Sequence, residues 1–157
     1  MKCIITPKQV LEEAFSQTEY LPESIVSESD IMAAQERYIL PIVGAKLTSL
    51  LETGSYQELA FYYIAPPLAL ATRLLIQPTI SLRMGAGGLT APRGEAIEQP
   101  DQDAVKALQK SLKTRMRQLL KRLSNYLNDN ADKYPEYNPE YNVLNRCSID
   151  GGLVQIM

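Results

Sequence analysis

Residues 101–130 read DQDAVKALQKSLKTRMRQLLKRLSNYLNDN, a stretch without a proline or a glycine. At about 100° per residue, Val105, Leu108, Leu112, Met116, Leu119, Leu120, Leu123, Tyr126 and Leu127 share one arc, which predicts an amphipathic helix with that arc toward the core. Lys106, Lys110, Lys113, Arg117 and Lys121 recur at spacings of three and four on a different arc, so five cations form one stripe. Asp101 or Asp103 suits the helix start, where a carboxylate meets unpaired N–H groups, and Asn128, Asn130 and Pro135 mark the stop. A helix of this length spans ~45 Å, enough to carry a small domain.

Outward from this helix, the chain of 157 residues is long enough for one core, and 45% hydrophobic residues are enough to fill it. The net charge of -2 excludes strong whole-molecule attraction to nucleic acid or an anionic membrane. The charge is unevenly placed, however. Residues 1–60 hold four cations against nine acids, whereas residues 101–130 hold seven cations against three acids. The acidic first part and the basic helix are able to meet, within one chain or between neighbours.

Toward the N-terminus, Lys2 to Ile5 is a short apolar start with the character of a brief strand. Thr6-Pro7 opens a first helix through Val10, Leu11, Ala14 and Phe15, since Thr caps and Pro is tolerated at the first helical position. A second helix starts at Ser27 to Asp30 and continues through Ile31, Ala34 and Tyr38 to a kink or fresh start at Pro41. Thr53-Gly54 ends the piece after it, and Ser55 is placed to cap the next helix. That helix carries Leu59, Phe61, Tyr62, Tyr63 and Ile64, with Tyr62 and Tyr63 assigned to core packing. It is interrupted at Pro66-Pro67 and resumes from Leu68 to Leu75 with an apolar surface all round. Phe61 to Leu82 is long enough to span a bilayer, but Pro66, Pro67, Arg73 and Pro78 favour buried, broken helices. Met84 to Pro100 has four glycines and no helical period, so it reads as a loop or a loose hairpin with Leu89 and Ile97 in its arms. The tail after the long helix, DKYPEYNPEYN, is polar and aromatic, and it suits either interface contact or disorder. The terminal Gly-Gly-Leu-Val-Gln-Ile-Met is able to add as a strand to a partner.

The prediction is an all-α bundle of about four to five helices, with a long C-terminal helix, a Gly-rich loop before it and an irregular tail. Residues 1–133 form the helical domain, with the loop at 84–100, and residues 134–157 form an extended tail.

Catalytic chemistry finds little purchase. There is no His, which removes the commonest general base and the commonest zinc ligand together. Cys3 and Cys147 lie near opposite ends without ligand spacing and read as free thiols in a reduced, cytosolic setting. Gly85-Ala86-Gly87-Gly88 lacks the Lys-Ser/Thr of a phosphate loop and is not a strand-to-helix turn. Glu12-Glu13 reads as a solvated helix face, and Asp101 with Asp103 as a helix start. No catalytic residue, cofactor, metal site, small-molecule substrate or membrane contact is expected.

The order of parts resembles an uncharacterised family of phage and prophage proteins from Bacteroidetes-type bacteria, themselves similar to head-tail connector (adaptor, or head-completion) proteins of tailed phages. The residues that carry the resemblance are Ala34-Gln35-Glu36-Arg37-Tyr38-Ile39 with Pro41-Ile42-Val43-Gly44, and Leu127 to Tyr137. It extends over residues 5 to about 140, and its motifs are packing and turn residues rather than catalytic ones. The resemblance implies an all-helical structural protein of the virion head-tail junction, present in the host cytoplasm during assembly. Such a protein forms a ring with copies of itself between the portal and tail components, around a channel through which DNA passes. It further implies a contact loop at Met84 to Pro100, including Gly87, Gly88 and Arg93, and a docking tail from Tyr134, including Tyr137. Past Pro139 the resemblance gives no match, and docking through Tyr141 and the terminal segment is read from the residues alone. The rival reading is a nucleic-acid-binding regulatory helical domain with Lys106, Lys110, Lys113, Arg117 and Lys121 as its electrostatic footprint.

Overall fold

A computed structural model of the chain describes residues 1–16, 21–85 and 102–146, the side chains of residues 82–85 excepted. Its described residues contain five helical runs and no strand. Helix α1 is Pro7–Ala14. Helix α2 runs without a break through Glu28–Ala34, a π turn at Gln35–Ile39 and Leu40–Val43. Helix α3 is Ala45–Glu52, and α4 joins Gln57–Leu59, a second π turn at Ala60–Ile64 and Ala65–Gly85. Helix α5 is Gln102–Asp129, and three short 3₁₀ turns, Ala131–Lys133, Pro139–Tyr141 and Val143–Asn145, follow it. The all-α fold expected from the sequence, with its long last helix and irregular tail, is the fold observed.

The helix starts follow from local chemistry. Thr6 and Gln9 close a capping box at α1, and Ser27 and Asp30 close another at α2, each satisfying N–H groups that a helix start leaves open. Ser55 does not cap α4. The start there is Tyr56 in the left-handed region at φ 55°, held by its ring edge-on to Tyr134 at 5.0 Å and by its hydroxyl on Glu136. Gly44 (φ 86°) turns α2 into α3, and Gly54 (φ 88°) ends α3, conformations that cost glycine little.

The prolines do not break the helices as the sequence suggested. A proline has no N–H, and its ring presses on the carbonyl four residues back. Ahead of Pro41 and ahead of Pro66-Pro67, the helix instead widens to bonds of the i to i−5 type. The Leu40 N–H reaches the Gln35 carbonyl, and the Ala65 N–H reaches the Ala60 carbonyl. The extra residue in each turn lets the threatened carbonyls swing aside, and the helix continues past the proline.

Helix α4 is the centre. Helices α1, α2 and α5 all pack on it. Leu68, Ala69, Leu70, Ala71, Thr72 and Arg73 are buried in succession, so the helix is enclosed on all sides there. The run Gln57–Ser81 is long and apolar enough to cross a membrane, and 61% of its most apolar window is buried by these neighbours. Arg73 is accommodated by its surroundings. Its guanidinium lies 4.3 Å from the Phe15 ring centre, and Nη1 donates to the Ala14 carbonyl at 2.6 Å, where α1 ends and its dipole favours a cation.

The expected N-terminal strand is replaced by a side-chain contact. Gln35, fully buried in the first π turn, accepts from the Ile4 N–H at 3.0 Å and donates to the Lys2 carbonyl at 3.2 Å, as a strand partner's backbone would. Its amide also donates to Glu52 at 3.0 Å, which ties α3 to the same point. Gln35→Leu, close in volume, leaves these groups unsatisfied. It should cost about 2 kcal/mol in chemical denaturation, with faster amide exchange at residues 2–5 in particular.

Candidate interaction surface

The core side of α5 is set by Leu112, Met116, Leu120, Leu123 and Leu127, all buried. Val105 is only half-buried, and Leu108 is 39% exposed. The assigned arc is therefore buried only from Leu112 onward.

Lys106, Lys110, Lys113, Arg117 and Lys121 are all exposed. None of the five pairs with an acid among the described residues, where the ion pair formed is Lys8–Glu12 within α1, at 3.8 Å. No ion pair joins the acidic first part to the basic helix there. Arg122, off the stripe, lies 4.9 Å from the ring centre of Tyr63.

That ring begins an aromatic ladder between α4, α5 and the tail. Tyr63 stacks on Tyr126 at 3.8 Å and 15°, and the Tyr126 and Tyr134 hydroxyls are 3.2 Å apart. Burial, the hydrogen bond with Tyr126 and the charge of Glu58 raise the Tyr134 pKa above the usual phenol range. Beside the ladder is a buried polar knot. Asn142, fully buried, donates to Ser124 and to the Tyr137 hydroxyl, each at 2.8 Å, and Tyr137 in turn donates to Asn128 at 2.6 Å. The Asn128 and Asn145 amides bond each other reciprocally at 2.8 and 2.9 Å.

Residues 134–146 are thus fastened to α5. Of the two tail tyrosines singled out for docking, Tyr137 is buried in this knot and Tyr141 is 69% exposed. Tyr141 borders a cleft of about 540 Å³ against Gly44 and Lys46. Gly87, Gly88 and Arg93, the hairpin arms at Leu89 and Ile97, Asp101, Cys147 and the terminal segment lie outside the described residues.

A second surface was missed by the periodicity. Phe61 and Tyr62 are 56% and 59% exposed, with ring centres 5.1 Å apart, although Tyr62 was assigned to the core. Phe61 borders a groove of about 390 Å³ whose walls include Ile4, Ile5 and Leu51. Both rings sit in the second π turn, where the added residue shifts the helical phase. The proline pair just after it is the one signal in the sequence that could have revealed the shift.

Among the described residues, no group of three or more His, Cys, Asp or Glu stands together to hold a metal ion. The Cys3 pKa is raised by burial and by the carboxylates of Glu28 and Glu52, the opposite of thiolate activation. What the arrangement offers is contact area with charge and exposed rings.

A family model described as a family of unknown function (DUF6712) matches residues 24–145. The chain belongs to this family. The matched span begins after α1 and closes at Asn145, so it takes in α2 to α5 and the tail turns together. No curated protein and no solved structure matches the chain.

Two outcomes follow for this joint. Asn142→Ala removes the donor shared by Ser124 and Tyr137 and should cost about 2 kcal/mol in denaturant unfolding, with lost amide protection at residues 143–146. The second concerns pH. Below about pH 10 the Tyr134 phenol is protonated in the folded and unfolded states alike, and its contribution is constant. At higher pH the unfolded chain releases the proton while the folded chain retains it, so stability falls as pH rises through that range. Tyr134→Phe should flatten the fall in unfolding midpoint between about pH 10 and pH 12.

Proposed function

We propose that this protein is a structural assembly component of a tailed phage or prophage, a head-tail connector whose copies form a ring between portal and tail. Its place is the head-tail junction of the virion, and its partners are other copies of itself and the portal and tail components. The reading rests on the resemblance carried by residues 34–44 and 127–137. The observation that supports it most is the cationic face of α5, exposed along its length and without acidic partners among the described residues. Exposed Phe61, Tyr62 and Tyr141 add the kind of aromatic surface that interfaces favour. A ring places such surfaces against neighbours or toward a channel that DNA traverses.

The same cationic face supports the rival, a helical regulatory domain that binds nucleic acid. The rival requires salt-sensitive binding of free duplex DNA by the monomer. The test for the connector is negative-stain microscopy of the protein mixed with a candidate portal protein. The connector reading expects an added annular layer on the portal. Portals that stay bare, with every neighbouring capsid and tail component also tried, would remove it.

A further inference from the structure

We infer that copies of this chain associate head to tail, the cationic face of α5 in one copy lying on the acidic outer face of α1 and the following 3₁₀ turn in the next. The inference rests on the self-association in the proposed function, and not on a portal.

The acidic face is made by Glu12 and Glu13 on α1 and Glu23 on the adjoining 3₁₀ turn Glu23–Ile25, all exposed. One cation, Lys8, stands on α1 itself and pairs with Glu12. Glu13 and Glu23 have no ion pair among the described residues.

Placement then decides what these charges can do. Helices α1, α2 and α5 each pack on α4; α5 meets α2 at its last turn, Leu40–Val43, and makes no substantial contact with α1. The acidic and basic faces therefore belong to separate flanks of the central helix, and folding does not bring them together. A net charge of only -2 means that no strong overall repulsion opposes association.

The same segregation selects the symmetry. A two-fold dimer through either face would set like charges against each other, which is repulsive. Opposite faces can also meet reciprocally across a two-fold axis, but faces on separate flanks favour a heterologous contact, which closes into a ring when the rotation allows and otherwise continues as a filament. Because both faces are solvent-exposed, the pairing is electrostatic and screened by salt.

The experiment is sedimentation velocity of the full chain with two charge-reversed variants. One carries Lys110→Glu, Lys113→Glu and Arg117→Glu, and the other carries Glu12→Lys, Glu13→Lys and Glu23→Lys. These positions lie off the buried arc, so circular dichroism should report unchanged helix content. Should the first fail to fold, Lys110→Gln with Lys113→Gln and Arg117→Gln takes its place. The wild type should self-associate at about 50 mM salt and lose its larger species at about 500 mM. Each variant alone should remain monomeric, and their mixture should recover the larger species, because each supplies the face that the other now complements.

A wild type that stays monomeric at low salt, or a reversed variant that associates like the wild type, overturns the inference. So does loss of duplex DNA binding in the first variant with self-association unchanged, which would assign the face to nucleic acid. Portal layers that form equally well from the reversed variants would retain the connector and remove this contact. Self-association that depends on these charges, with portals left bare, would do the reverse.

Discussion

The fold depends on keeping one proline-bearing helix intact through the centre of the molecule. Helix α4 receives α1, α2 and α5 on its flanks, and its buried run from Leu68 to Arg73 has neighbours on all sides. A true break at Pro66-Pro67 would separate Leu59 and Ile64 from that run and open the core between them. The widened turn at Ala60–Ile64 prevents this, and the same device carries α2 past Pro41. Arg73 completes the centre by meeting the end of α1 in a place where an uncompensated charge would be costly.

Much of this was legible in the sequence where local chemistry and period agree. Thr6-Pro7, Ser27 with Asp30, Gly54 and the apolar arc from Leu112 to Leu127 all serve as their residue types suggest. Legibility failed where a contact came from far along the chain. Gln35 looks like an ordinary surface amide, yet it is buried because the segment at residues 2–4 needs partners and has no strand beside it. Asn142 and Tyr137 look like tail residues, yet they close a network on Ser124 and Asn128. Phe61 and Tyr62 were lost for another reason, since a period of 3.6 does not anticipate an extra residue in a turn. The candidate surface divided the same way: the five cations were visible from their spacing, whereas the aromatic pair and the burial of Tyr137 were not.

Charge in this protein is arranged by side rather than by pair. The described residues contain very little internal ionic bonding, and exposed ion pairs of the Lys8–Glu12 kind contribute little to stability in any case. Stability comes instead from the apolar core and from satisfied buried polar groups such as Gln35, Thr72 and Asn142. The surface charges are consequently free to serve association without weakening the fold, which suits a chain proposed to work as one unit among copies.

The tyrosine ladder gives the molecule an optical character of its own. The chain has no tryptophan, and of its nine tyrosines Tyr56, Tyr63, Tyr126, Tyr134 and Tyr137 converge where α4, the end of α5 and the tail meet. Stacked and hydrogen-bonded rings in a fixed setting dominate near-ultraviolet dichroism, whereas rings in solvent contribute weakly. The aromatic signal of the folded chain therefore originates largely at a single joint. It should fall when the tail lifts from α5 with the helices intact, leaving the share of the Tyr63–Tyr126 stack.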